Sequence, residues 1–139
     1  MTTEELTNKL KESKNIDSFI QENKNEFDEE AFKNFLDETL RRKGINVTTL
    51  AIESGISVPY AYNLFNGRKN SPRKDILLRL AFGLELSLEE TNRLLILGGV
   101  AELRAKLRRD SIIIFGIENS YSIEITDELL SQYGLQTLL

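Results

Sequence analysis

The chain has 139 residues, 40% of them hydrophobic, with only 2 prolines and 8 glycines. That is enough apolar material for one core and too little interruption for a disordered chain. Cysteine and histidine are both absent, which excludes disulfides, Cys/His zinc sites and any His-dependent triad.

The net charge of −4 is unevenly spread. Residues 1–39 hold 5 basic and 11 acidic side chains, residues 40–79 hold 8 and 2, and residues 80–139 hold 5 and 9. One basic segment of net +6 thus lies between flanks of −6 and −4. Such asymmetry suggests a face for a polyanion better than the total does. No Asp/Asn-rich loop has the spacing for calcium, so no metal or cofactor is expected.

The opening MTTEELTNKL is polar and acidic, with neither the basic nor the apolar region of a signal peptide. No apolar run approaches the ~18–20 residues of a membrane span. The reading is a cytoplasmic protein with no membrane partner.

Taken in order, residues 2–14 predict a short amphipathic helix with a Thr2/Glu5 capping box and Leu6 and Leu10 on one face. A second short helix is expected over Asp17–Asn23, with Phe19 and Ile20 inward, before a polar break at Asn23-Lys24-Asn25. Asp28 is placed to cap a helix to Lys43 whose apolar set is Ala31, Phe32, Phe35, Leu36 and Leu40. Arg41, Arg42 and Lys43 complement its dipole, and Gly44 ends it.

Two short helices with a tight joint follow. Asn46 caps 47–54, Gly55-Ile56-Ser57 turns the chain, and Ser57 caps 58–66, with Pro59 in a tolerated first-turn place. Pro72 then opens a helix over 72–84, and a Ser87/Glu90 capping box starts one running to Leu97.

The last part of the chain contains an internal repeat at an offset of 35. Arg73-Lys74-Asp75 matches Arg108-Arg109-Asp110, Leu77-Leu78 matches Ile112-Ile113, and Ser87-Leu88-Glu89 matches Ser122-Ile123-Glu124. Residues 73–103 and 108–138 therefore read as two copies of one helical hairpin. The repeat also decides Ser111–Ile117, a β-branched run that alone suits a strand. Its counterpart Ile76–Phe82 is helical in pattern, so both are read as helix.

The chemistry is carried by the joint at 46–67. A helix-turn-helix needs a small residue where its helices cross, and Ala51 supplies it. Its turn needs a residue at ease at positive φ, and Gly55 supplies that. Ile56 plugs the gap, and Leu50, Ala61 and Leu64 complete the inner face. A purely structural hairpin also produces such a pattern, so the reading stays open here.

The stretch TTLAIESGISVPYAYNLFNGRKNSPRKDILLRLAFGLELS, residues 48–87, resembles the lambda-repressor-like (Cro and phage-repressor type, Xre-like) helix-turn-helix regulator family. Leu64-Phe65-Asn66-Gly67 is similar to the end of a phage-repressor recognition helix. The resemblance implies a five-helix DNA-binding unit at 28–99; with the short N-terminal helices read at 1–27 and the C-terminal hairpin at 100–139 that repeats 73–103, the expected fold is all-α.

It also implies roles. Val58, Pro59, Tyr62 and Asn63 occupy positions that face base edges. Asn66, Arg68 and Lys69 lie near the sugar-phosphate backbone. The basic segment adds Arg41, Arg42, Arg73 and Lys74 as further expected phosphate contacts. Val47 stands where the family often places Gln. The recognition face offers one Asn and no Arg, Lys or Gln, so its means of bidentate base readout are few.

Two functions follow. The first is a sequence-dependent regulator that binds double-stranded DNA, expected as a homodimer because one recognition helix covers few base pairs. The alternative is a helix-turn-helix turned into a protein-interaction module through its Val58-Pro59-Tyr60-x-Tyr62 face. No enzyme is expected: Glu89-Glu90 and Asp127-Glu128 lie in first helical turns, where capping accounts for acids.

The C-terminal copy is too apolar to stand alone in water. It is expected to extend the core with one face. Its outer residues near Phe115 and the Leu138-Leu139 end are expected to join two subunits or hold a protein partner.

Overall fold

A computed structural model describes residues 1–67 and 72–139. Among them the chain forms nine α-helices, one 3-10 turn at Lys24–Glu26, and no strand. The helices are α1 (Thr3–Glu12), α2 (Ile16–Glu22), α3 (Asp28–Lys43), α4 (Val47–Ser54) and α5 (Val58–Phe65). They continue as α6 (Lys74–Gly83), α7 (Leu88–Leu97), α8 (Arg108–Glu118) and α9 (Ile123–Gln132). No described helix is long and apolar enough to cross a membrane.

Local chemistry sets most boundaries. Polar side chains at Thr2, Asn15, Asn46, Ser57, Ser87 and Ser122 each accept a backbone N–H of the following turn, satisfying donors that a helix start leaves free. Thr2 and Ser87 form full capping boxes with Glu5 and Glu90.

Four expectations shift. Ile20, expected inward beside Phe19, is 43% exposed, and of the two only Phe19 is buried. The second helix starts at Ile16 because Asn15 caps it, and the polar break becomes the 3-10 turn. Phe27, not Asp28, is the N-cap of α3; Asp28 is its first helical residue, where it still complements the dipole with Glu29 and Glu30. Pro72 lies outside α6, whose N-cap is Arg73. Ser111–Ile117 is helical, within α8.

The core is continuous from Phe32 to Leu138. Its centre is α6, where Leu77, Leu78, Leu80 and Ala81 are all buried. Helices α4 and α7 pack on α6, and α3 packs on α7 and α5. At the α4–α6 crossing, Gly83 faces Ser54, and any Cβ there would overlap Ser54 Oγ.

The two hairpins α6–α7 and α8–α9 correspond residue for residue at the offset of 35. Ser87 and Ser122 are N-caps, Glu85 and Ser120 both have φ of 54°, and Leu78 and Ile113 are fully buried. Asn92 Oδ1 accepts the Leu103 N–H at 3.0 Å, and its counterpart Asp127 accepts the Leu138 N–H at 2.7 Å.

Their contact is reciprocal. Lys74 Nζ meets Asp110 Oδ2 at 3.2 Å, and Arg109 holds Asp75 with two bonds of 2.9 and 3.0 Å. Each copy thus gives the cation of one position to the acid of the next position in the other copy. This is the signature of a local two-fold.

Three outcomes test this packing. Ala51 is 0% exposed, so Ala51→Leu should lower stability to urea by about 1–3 kcal/mol through overpacking. Ser87→Ala should cost about 1 kcal/mol as a lost cap. The Ser87 backbone N–H and then the Arg42 guanidinium hold the Glu90 carboxyl below its ordinary range. A depressed carboxyl contributes stability above its unfolded-state value and loses it as pH falls through the folded value. Glu90→Gln should therefore flatten the stability–pH curve below about pH 4.3 in acid titrations followed by circular dichroism.

Candidate nucleic-acid interface

The joint between α4 and α5 is built from its backbone outward. Asn46 Oδ1 accepts the Thr49 N–H at 2.8 Å and starts α4. Gly55, at φ 68°, ends α4 in the left-handed region, its N–H returning to Ala51 O and Ile52 O. Ile56 follows, 8% exposed, with its N–H on Ala51 O at 3.0 Å. The Ser57 hydroxyl accepts the Tyr60 N–H at 3.3 Å and starts α5, whose second position takes Pro59.

Helix α5 divides cleanly into two faces. Ala61, Leu64 and Phe65 are buried and meet the core with Leu50 and Ile56. Pro59, Tyr62, Asn63 and Asn66 are exposed, and Val58 is half-buried at the edge. All five are residues expected to face a nucleic acid, and the structure brings them to one outer surface.

That surface includes a residue the sequence reading missed. Thr48 Oγ1 and Tyr62 Oη lie 3.2 Å apart, so the phenol spans from α5 to the start of α4. The i, i+14 separation leaves no periodic signal for this pair.

The basic residues separate into two groups. Arg41 and Arg73 are exposed. Arg42 bonds Glu90 at 2.6 Å and ties α3 to α7. Lys74 is held by Asp110 and by the Glu102 carbonyl at 3.4 Å. Both latter side chains thus have structural partners. Arg68 and Lys69 lie outside the described residues.

The turn is braced from behind by the end of the chain. Arg79 Nε donates to Leu138 O at 2.7 Å, and its Nη1 donates to Gly55 O at 3.4 Å. A Cβ on Gly55 would come within 2.8 Å of Leu139 Cδ2. Asp127 holds the same tail through the N–H groups of Leu138 and Leu139.

These contacts correct two expectations. Leu138 is 1% exposed, so it is core and not an outer joining residue. Asp127 anchors the tail rather than serving its own helix start. One signal for Arg79 was present: it is a lone cation within the apolar run Ile76–Phe82.

The chain matches no protein-family model, no curated protein and no solved structure.

Arg79→Ala should cost about 1.5–3 kcal/mol, the usual worth of hydrogen bonds to a charged group. It should also raise amide exchange at Ile56, Leu138 and Leu139. Unchanged exchange at all three would mean that the tail does not brace the turn.

Proposed function

We propose that this protein is a transcriptional regulator of the cytoplasm that binds double-stranded DNA in a sequence-dependent way, as a homodimer, with α5 as the reading helix. The observation that carries the proposal is the division of α5. Its buried face locks onto α4 around a left-handed glycine turn, and its outer face holds Pro59, Tyr62, Asn63 and Asn66 together. Presenting one helix of a tight pair to solvent is what entry into a major groove requires.

Asn63 is the side chain of this face suited to bidentate contact with adenine, while Val58 and Tyr62 suit apolar contact with thymine methyls. Arg41, Arg68, Lys69 and Arg73 are the proposed phosphate contacts. Arg42 and Lys74 are left out because Glu90 and Asp110 already hold them. The resemblance of residues 48–87 to lambda-repressor-like regulators supports the same reading.

Selection from a random duplex library at two salt concentrations tests this. The expected result is an enriched sequence whose affinity falls with salt, with a log–log slope of about −3 to −4 per subunit for four phosphate contacts. Asn63→Ala and Tyr62→Ala should alter the preferred sequence. Arg68→Ala or Lys69→Ala should weaken all sequences about equally. No enrichment and no salt-dependent retention would sink the proposal in favour of a protein-interaction module on the same tyrosine-bearing face.

A further inference from the structure

The two copies of the hairpin have different surroundings. In the first, α3 lies along α7, with Phe32 reaching the Leu77 side of the hairpin at Gly98. Phe32 Cε2 lies 3.4 Å from where a Cβ on Gly98 would stand, and Leu36 is fully buried. At the other end of α3, Arg42 reaches Glu90, so α3 runs antiparallel to α7. The floor of the groove between α6 and α7, Leu77, Leu80 and Leu94, is 0% exposed throughout.

Thirty-five residues further on, the same groove is open. Ile112, Phe115 and Leu129 line a cavity of about 540 Å³, with Arg108 and Tyr133 at one end. Phe115 is 53% exposed and Tyr133 64%. The Tyr121 and Phe115 rings pack in a T-shaped contact with centroids 5.9 Å apart. At the far end Ile125, 46% exposed, stands where the first copy has Glu90.

The chain also carries a loosely seated helix, whose Leu6 is only half-buried and whose leading Met1 amine lies 3.7 Å from Glu26. Helix α1 has 10 residues and buries none of them. A helix that short is marginal in water without tertiary packing. Its pattern follows that of α3: an acidic first turn, apolar residues four apart, and a basic last turn. In α1 these are Glu4 and Glu5, Leu6 and Leu10, Lys9 and Lys11. In α3 they are Asp28–Glu30, Phe32 and Leu36, Arg41–Lys43.

We propose that α1 of a second copy of the chain occupies the groove between α8 and α9, in the place that α3 takes along α7 in the first hairpin. The exchange is reciprocal across a two-fold axis, so both copies give α1 and both receive it.

Charge and length fit an antiparallel seat. Glu4 and Glu5 come to the Arg108 end, and Lys9 and Lys11 come to the far end, past Ile125. Leu6 lies toward Phe115 and Tyr133, and Leu10 lies toward Leu129 and Ile125. Both α1 and α9 have 10 residues, about 15 Å of helix. The inference rests on the dimer in the proposed function and not on DNA reading, so the duplex selection and the experiment below fail separately.

The absence of cysteine makes the test direct. Full-length Leu10→Cys and Ile125→Cys chains are prepared separately, both at exposed positions, then mixed and oxidised. The expected result is a mixed disulfide that forms well ahead of either variant's own dimer and ahead of Leu10→Cys mixed with Ile52→Cys.

Sedimentation of the unmodified chain should show a dimer. Phe115→Lys should raise its dissociation constant at least about tenfold, as for a central anchor, with the helical circular dichroism retained. A dimer that forms no preferential mixed disulfide would place the interface elsewhere and overturn the proposal. So would a monomer at tens of micromolar, or a Leu10→Cys/Ile125→Cys double variant that cross-links only within one chain.

Discussion

Helix α6 has to be covered on nearly every side, and the rest of the molecule is arranged to do it. Leu77, Leu78, Leu80 and Ala81, with the partly buried Ile76 and Phe82 on either side, turn apolar side chains around most of its circumference. A helix with so wide an apolar surface cannot be served by one neighbour. Helices α4 and α7 supply two sides, and the C-terminal copy and the tail supply contacts on others. Its few polar groups follow the same logic. Lys74, Asp75 and Arg79 all reach residues beyond 100, at Asp110, Arg109 and Leu138.

The second hairpin is therefore part of the core and not an appendage. The reciprocal pairs Lys74–Asp110 and Arg109–Asp75 dictate how the copies meet. Asp110 is 5% exposed, and a different register would leave a buried carboxylate without its cation, a costly state. The duplication also explains why an acid and a cation sit side by side at the start of both α6 and α8. Each copy presents the complement of its own sequence, as the halves of a two-fold dimer do.

This arrangement bears on the outer face of α5. The turn before it is backed by Arg79 and by Leu139, which are fixed in turn by α9 through Asp127. A surface that reads another macromolecule benefits from rigid support, since ordering lost on binding subtracts from affinity. Here the support comes from the far end of the chain. The first hairpin is covered by α3 along α7, whereas the groove between α8 and α9 remains open.

Much of this was legible in the amino-acid sequence because it is decided locally. The capping boxes at Thr2 and Ser87, the left-handed glycine at position 55, and the helical spacing of Ala61 and Leu64 depend on residues a few positions apart. They determined the helices, the joint at 46–67 and which side of α5 faces out. The repeat at an offset of 35 was legible too, and it made α8 a helix despite its β-branched run.

Tertiary structure alone decided the partners of the charges. Arg42 and Lys74 look like Arg41 and Arg73 in sequence, yet Glu90 and Asp110, each more than thirty positions away, hold only the first two. It also made Leu138 core, gave Asp127 the tail to hold, and set Thr48 beside Tyr62. The physical reason is common to all of these. Periodicity and capping are written within one or two helical turns, whereas an ion pair or a tail anchor depends on where separate helices come to rest, which only the packing of the whole core determines.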